Sequence, residues 1–183
     1  MICSLQHKTP PLCYTNSNMN SSIAIQGDQA SFHDMAANQF FGDQSGRVFC
    51  DTFADTVQAL VDRRANYALC AIENSLFGSI NEVYDLILNH KLYITGEVYL
   101  RIEQCLIGLP AANVADITEV YSHPVALAQC EEYLDNNLPE AERLEYHDTA
   151  AAVEKISQLQ NSQFAAIASR QAAELYDMKI LAE

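Results

Sequence analysis

Tyr67-Ala68-Leu69-Cys70-Ala71-Ile72-Glu73-Asn74-Ser75 is a nearly continuous apolar run stopped abruptly by polar residues. A strand with apolar side chains on both sides reads as one covered on both faces, the habit of parallel sheets. Its neighbours alternate to match. Upstream lie a strand at Ser22-Ile23-Ala24-Ile25, a helix through Met35-Ala36-Ala37 to Phe41, and a strand at Arg47-Val48-Phe49-Cys50. An amphipathic helix then spans Thr52 to Arg64, with Val57, Leu60 and Val61 on one face and a capping-box start, Thr52-x-x-Asp55. Downstream, a second box at Ser79-x-x-Glu82 predicts a helix from Ser79 to Asn89, facing inward through Ile80, Val83, Tyr84 and Ile87.

Tyr93 to Leu109 reads as one long extended stretch, long enough to cross from one lobe to another. Alternation then resumes. Val120-Tyr121-Ser122 is a strand, and His123-Pro124 opens a helix through Ala126, Leu127 and Cys130, with proline at the favoured first position. Leu144 to His147 is a strand, and Asp148-Thr149 caps a helix to about Gln160. A strand from Phe164 to Ser169, a helix from Gln171 to Tyr176 and a strand from Lys179 to Ala182 complete the series. Repeated strand–helix alternation predicts an α/β fold with mainly parallel sheets.

The 183 residues suffice for one ordinary domain or two small lobes. With 49% apolar and 19% charged residues, the composition is that of a folded globular chain. Residues 1–21, rich in Thr, Pro, Asn and Ser, read as a disordered leader. Their polar start lacks the apolar stretch of a secretory signal, and no apolar run approaches the ~20 residues of a membrane helix, so a cytoplasmic location is expected. The six cysteines form no C-x-x-C pair and the five histidines no i, i+4 pair. Free, buried thiols are expected, with no metal. A formal charge of −14 argues against nucleic acid or an anionic membrane as partner. It also means that an anionic ligand must be held by local donors.

In open parallel sheets ligands bind beyond the carboxyl ends of strands, where helix N-termini present free N–H groups. Those junctions here read Gly27-Asp28-Gln29-Ala30-Ser31-Phe32, Glu73-Asn74-Ser75-Leu76-Phe77-Gly78-Ser79, Ser122-His123-Pro124, Asp148-Thr149-Ala150 and Ser169-Arg170-Gln171. Hydroxyls and amides recur, with Gly27 and Gly78 where backbone approaches a ligand closely. Neutral donors on helix N-termini suit a small dicarboxylate. Any single junction is also what an ordinary capped helix shows. Asn74-Ser75 and Gly78-Ser79 hold more polar groups than a cap requires, and Glu73 ends a buried strand, where a carboxylate needs a partner or a role.

At these junctions the sequence resembles the prephenate dehydratases. Their first motif, Gly-Pro-x-Gly-Thr-Phe-Ser, is matched by Gly27-Asp28-Gln29-Ala30-Ser31-Phe32-His33; Ser31 keeps the hydroxyl of the family threonine, while Ala30 and His33 depart from the pattern. The central motif is intact in Ile72-Glu73-Asn74-Ser75 and Gly78-Ser79. Gly96-Glu97-Val98 with Ile102-x-x-Cys105-Leu106, then Val120-Tyr121-Ser122-His123-Pro124-x-Ala126-Leu127-x-Gln129-Cys130, follow the family in order. So do Asp148-Thr149-Ala150, where the family usually has Ser-Thr-Ala, and Ala166-Ile167-Ala168-Ser169. The likeness extends from about Ile23 to Glu183. Its last motif opens with Tyr176-Asp177-Met178-Lys179-Ile180-Leu181 and is expected to stop before a Thr-Arg-Phe stretch, whose threonine is the family's proton donor.

The resemblance implies two α/β lobes like the type II periplasmic binding proteins, with a ligand cleft between them. Lobe one would be residues 22–100 plus 176–183, and lobe two residues 101–175. It implies conversion of prephenate to phenylpyruvate in phenylalanine biosynthesis without a cofactor, since aromatisation supplies the driving force, with arogenate as an alternative substrate and a homodimer as the assembly. Ser31, Glu73, Asn74, Ser75, Gly78, Ser79 and Thr149 would bind the substrate. A non-catalytic module that binds a small carboxylate, or a degenerate fragment, is the reading from another class.

Overall fold

The computed structural model describes residues 1–6, 21–76 and 78–183, which divide into two units. Unit one is Met1–Gly27 with Phe32–Leu100; unit two is Asp28–Ser31 with Arg101–Glu183.

Unit one is built on a five-stranded sheet. Its strands are β1 (Ile2–Gln6), β2 (Ser22–Gln26), β3 (Gly46–Cys50), β4 (Tyr67–Ala71) and β7 (Tyr93–Val98), in the order β3-β2-β4-β1-β7. β2 runs parallel to β3 and β4, whereas β1 is antiparallel to both β4 and β7. On one face, helix α1 (Phe32–Phe41) covers Ile2, Ile23, Ile25, Leu69 and Val98 through Ala36 and Ala37. On the other, α2 (Phe53–Val61) and α3 (Asn81–Asn89) cover Cys3, Leu5, Ala68 and Cys70 with Val57, Leu60 and Val83. Alternate residues of β4 thus enter different apolar layers, which is why its sequence shows no alternation. A short hairpin of β5 (Glu73–Asn74) and β6 (Gly78–Ser79) leaves the end of β4.

Unit two repeats the plan. Strands β8 (Cys105–Gly108), β9 (Glu119–Ser122), β10 (Glu142–Glu145), β11 (Phe164–Ala168) and β12 (Lys179–Ala182) lie in the order β10-β9-β11-β8-β12. β9 is parallel to β10 and β11; β8 is antiparallel to β11 and β12. Helices α6 (Thr149–Leu159) and α7 (Arg170–Leu175) pack on Cys105, Ile107, Ala166 and Ala168. Helices α4 (Pro124–Gln129) and α5 (Glu131–Asn137) pack on Leu106, Val120, Ala165 and Ile167.

Five expectations change. The leader is not wholly outside the fold: residues 2–6 form β1, buried from Ile2 to Leu5, because four uncharged residues fill an interior sheet position; residues 7–20 lie outside the described residues. Both sheets are mixed, not mainly parallel. The stretch from Tyr93 to Leu109 does pass from one unit to the other, but as two strands, one in each, and not as one extended stretch. The last strand joins unit two, since Lys179 and Ile180 pair with Gly108 and Ile107 and leave no return to unit one. The helix opened by Pro124 is interrupted at Cys130, the end of α4 and the start of α5. Cys3, Cys50, Cys70 and Cys105 are buried free thiols and Cys130 is half-buried; Cys13 lies outside the described residues.

Candidate ligand-binding site

In unit two the predicted residues sit at the carboxyl ends of parallel strands. The chain leaves β2 through Gly27 (φ 89°) and turns at Ala30 (φ 65°), a left-handed conformation that costs a residue with a Cβ ~1–2 kcal/mol. Ser31 follows, 2% exposed, with its N–H donating to the Asp28 carbonyl at 3.1 Å. The turn is fixed from α7: the Ser169 hydroxyl donates to the Ala30 carbonyl at 2.9 Å and accepts from the Ala172 N–H at 3.1 Å. Thr149, 8% exposed, is the first residue of α6. Asp148 caps that helix, one carboxylate oxygen accepting from the N–H groups of Ala150 and Ala151 at 2.8 and 3.0 Å.

These two junctions meet. Asp28 Oδ2 lies 3.8 Å from His147 Nε2, next to Asp148. Burial pushes the Asp148 carboxyl above the ordinary carboxylate range, against the pull of its two backbone donors, and the Asp28 carboxylate pushes it further. His123 Nδ1 accepts from the Val125 N–H at 3.2 Å, and burial lowers its pKa, so the ring is favoured neutral. Arg170, at the start of α7, is engaged by Glu183 at 2.5 Å. The neighbourhood therefore holds hydroxyls and an imidazole favoured neutral among carboxylates, while the backbone N–H groups of Ser31, Val125, Ala150, Ala151 and Ala172 are already engaged within the protein.

In unit one, Glu73 pairs with Ser79 and Asn74 with Gly78 across the β5–β6 hairpin. Asn74 Oδ1 accepts from the Leu76 N–H at 2.9 Å, and Gly78 closes the turn with a φ of 77°. Glu73 is exposed, as are Ser75, Gly78 and Ser79, so the expectation of a buried carboxylate at the end of β4 is corrected: the hairpin carries it off the sheet into water. Ser79 is not a helix cap either. Its backbone belongs to β6, and α3 begins at Asn81 after Ile80, which makes no side-chain cap bond. The start of the motif is held by the Met1 carbonyl, which accepts from the N–H groups of Ile72 (3.0 Å) and Glu73 (3.3 Å).

The predicted set thus falls into two groups, Ser31 with Thr149 in unit two and Glu73 through Ser79 in unit one. A cavity of about 410 Å³ in unit two includes none of them; it lies against Leu106 and Ile167, on the sheet face opposite α6. Sequence reasoning missed Ser169 as the tie to Ala30, which is 139 positions away and leaves no local signal. Among the described residues, no group of three or more His, Cys, Asp or Glu is placed to hold a metal ion. No helix among them is long and apolar enough to cross a membrane.

Two mixed α/β units, each a five-stranded sheet with helices on both faces, define the fold class. Within it, the prephenate dehydratase family model matches residues 23–183, and the chain belongs to that family. It is 42% identical over 161 residues to arogenate dehydratase 5, chloroplastic, of Arabidopsis thaliana, covering 88% of this chain and 38% of that protein. It is 36% identical over 162 residues to the bifunctional chorismate mutase/prephenate dehydratase of Neisseria gonorrhoeae, covering 88% and 45%. The solved prephenate dehydratase from Arthrobacter aurescens, in complex with L-Phe, superposes with a TM-score of 0.78 at 25% identity, over 88% of this chain and 54% of that one. The chain spans less than half the length of these two curated relatives.

Proposed function

We propose that the chain is the substrate-binding part of a dehydratase acting on prephenate, or on its amino counterpart arogenate. The observation that carries this reading is the family match over residues 23–183, whose motifs fall at the carboxyl ends of parallel strands, where open α/β sheets bind ligands. In the reaction the ring carboxylate leaves as carbon dioxide, its bonding electrons enter the ring, and the ring hydroxyl departs with a proton as water. The ring becomes aromatic, which supplies the driving force. The protein has to hold the carboxylates and deliver one proton, a service typically worth 10²–10⁴ in rate. We assign the holding to Ser31, Asn74, Ser75, Ser79 and Thr149 as donors. Gly78 allows close approach at its left-handed turn, and Glu73 orients the hairpin through its pairing with Ser79. The expected cytoplasmic location belongs to this reading too; the name of the Arabidopsis relative places that protein in the chloroplast.

The test is binding and turnover of prephenate and arogenate by this chain and by one continued through a Thr-Arg-Phe segment. Expected are binding by both, phenylpyruvate from prephenate in the longer chain, and about a tenfold weaker Kd for Asn74→Ala or Thr149→Val, one lost hydrogen bond to a charged group. Absence of binding and turnover in both chains overturns the reading. Binding without turnover in either leaves the small-carboxylate module in its place.

A further inference from the structure

Prephenate and arogenate differ at one carbon of the side chain. Both carry two carboxylates, but prephenate has a keto oxygen where arogenate has an ammonium group. What charge lies around Ser31 and Thr149 therefore bears on the choice between them. Asp28 sits in the turn that delivers Ser31, and its carbonyl accepts from the Ser31 N–H at 3.1 Å, so the turn is closed by backbone and not by the carboxylate. Proline holds this position in the family motif, which again means that the turn does not need an acid there. The Asp28 side chain is 45% exposed, with Oδ2 3.8 Å from His147 Nε2 at the other junction. Asp148 and Tyr176 are pushed up chiefly by burial, and the Asp28 charge adds to both, so it lies close to them as well.

The fixed charges of this neighbourhood are of one sign. Asp28 and Asp148 are joined by Glu145, which acts on His123, and by Glu154, which acts on Tyr176. The cationic side chains do not offset them. Arg170 is engaged by Glu183, His123 is favoured neutral by burial, and His147 carries charge only when protonated. Asp148 is already taken up by the N–H groups of Ala150 and Ala151, which leaves Asp28 as the accessible carboxylate with capacity for a ligand. A keto oxygen is an acceptor and gains nothing from facing an acceptor-only carboxylate. An ammonium group brings three donors and a positive charge, which suit that carboxylate well.

We propose that Asp28 is a specificity-determining residue: its carboxylate receives the ammonium group of arogenate, and the site takes arogenate in preference to prephenate. The inference rests on the dehydratase reading above. The bonds broken at the ring are the same for either substrate: the ring carboxylate leaves as carbon dioxide, its electrons enter the ring, and the hydroxyl departs with one proton as water. The ammonium group is retained, so the product is phenylalanine and not phenylpyruvate.

The test is calorimetric titration of arogenate and of prephenate into this chain and into the one continued through a Thr-Arg-Phe segment. Expected is arogenate binding roughly tenfold tighter, the value of one hydrogen bond between charged groups. Asp28→Asn is expected to bring the two affinities together by weakening arogenate alone. Asp28→Glu should keep the preference, and Asp28→Lys should reverse it in favour of prephenate. Equal affinities in the parent, or tighter binding of prephenate, overturn the proposal and leave the dehydratase reading standing. A preference that survives Asp28→Asn overturns it too, as does equal weakening of both ligands, which would give Asp28 a structural part only. Absence of binding by both ligands to both chains overturns the dehydratase reading itself, and this inference with it. If Asp28→Lys does not fold, Asp28→Asn decides alone.

Discussion

Ser169 serves two backbones with one hydroxyl, donating to Ala30 and accepting from Ala172, at 1% exposure. Ser169→Ala removes a helix cap and leaves the Ala30 carbonyl without that donor. The expected loss is about 2 kcal/mol, read as a lower denaturant midpoint at unchanged slope. Asp148 offers a second single-residue test, through pH. Its folded carboxyl titrates above the unfolded one, chiefly because burial disfavours the charge. The stability it contributes is therefore complete below the unfolded pKa, about 4, and is lost as pH rises through the folded value. Asp148→Asn keeps a cap acceptor and removes that titration. It is expected to gain on the parent at neutral pH and to lose the advantage below about pH 4; a melting-temperature difference that does not change with pH would contradict this. At this scale the sequence was legible where chemistry is local. Thr52 accepts from the Asp55 N–H at 3.0 Å, as its spacing predicts. Ser169 to Ala30 and Asp28 to His147 were not legible, because tertiary folding alone brings those residues together.

Among the elements, β4 was the most readable, since burial on both faces writes itself as an unbroken apolar run. β1 was the least. Ile-Cys-Ser-Leu carries the same signature in four residues, but it is followed by Thr, Pro, Asn and Ser, and so short a run has no period to distinguish it from a loop. The helix after Gly78 was misplaced by two residues because a capping-box pattern fits Ser79, whereas a hairpin claims its backbone first. β7 shows how tightly a strand and a helix can constrain each other. A Cβ on Gly96 would lie 2.3 Å from Phe40 Cζ, so the ring of α1 rests where a side chain would be. Gly96→Ala should cost about 1–3 kcal/mol, the usual penalty for overpacking. Part of it should return when Phe40 is shortened to Leu, and a double-mutant cycle by chemical denaturation measures that coupling. Strict additivity of the two changes would mean that α1 and β7 adjust independently.

For the whole molecule the governing quantity is charge. Ten basic residues stand against 24 acidic ones, a formal −14, on a chain proposed to bind a dicarboxylate. Most anion-binding proteins attract their ligands at long range, so added salt weakens them. Here the long-range field opposes the ligand, and the candidate site adds Asp28, Asp148 and an Arg170 already engaged by Glu183. In the proposed reading attraction comes instead from the side-chain hydroxyls and amide assigned above, which act within hydrogen-bond reach and which salt screens little. Raising the ionic strength from ~0.01 to ~0.15 M shortens the screening length from about 30 to 8 Å, removing repulsion while leaving those contacts in place. Prephenate association is accordingly expected to speed up several-fold over that range, with most of the gain in the on-rate and little in the off-rate. Stopped-flow mixing in sodium chloride, with a neutral osmolyte as control, reads both. A rate that falls with salt would mean that a cationic group outside this acidic neighbourhood captures the substrate, and would move the search for the binding residues to the arginines and lysines.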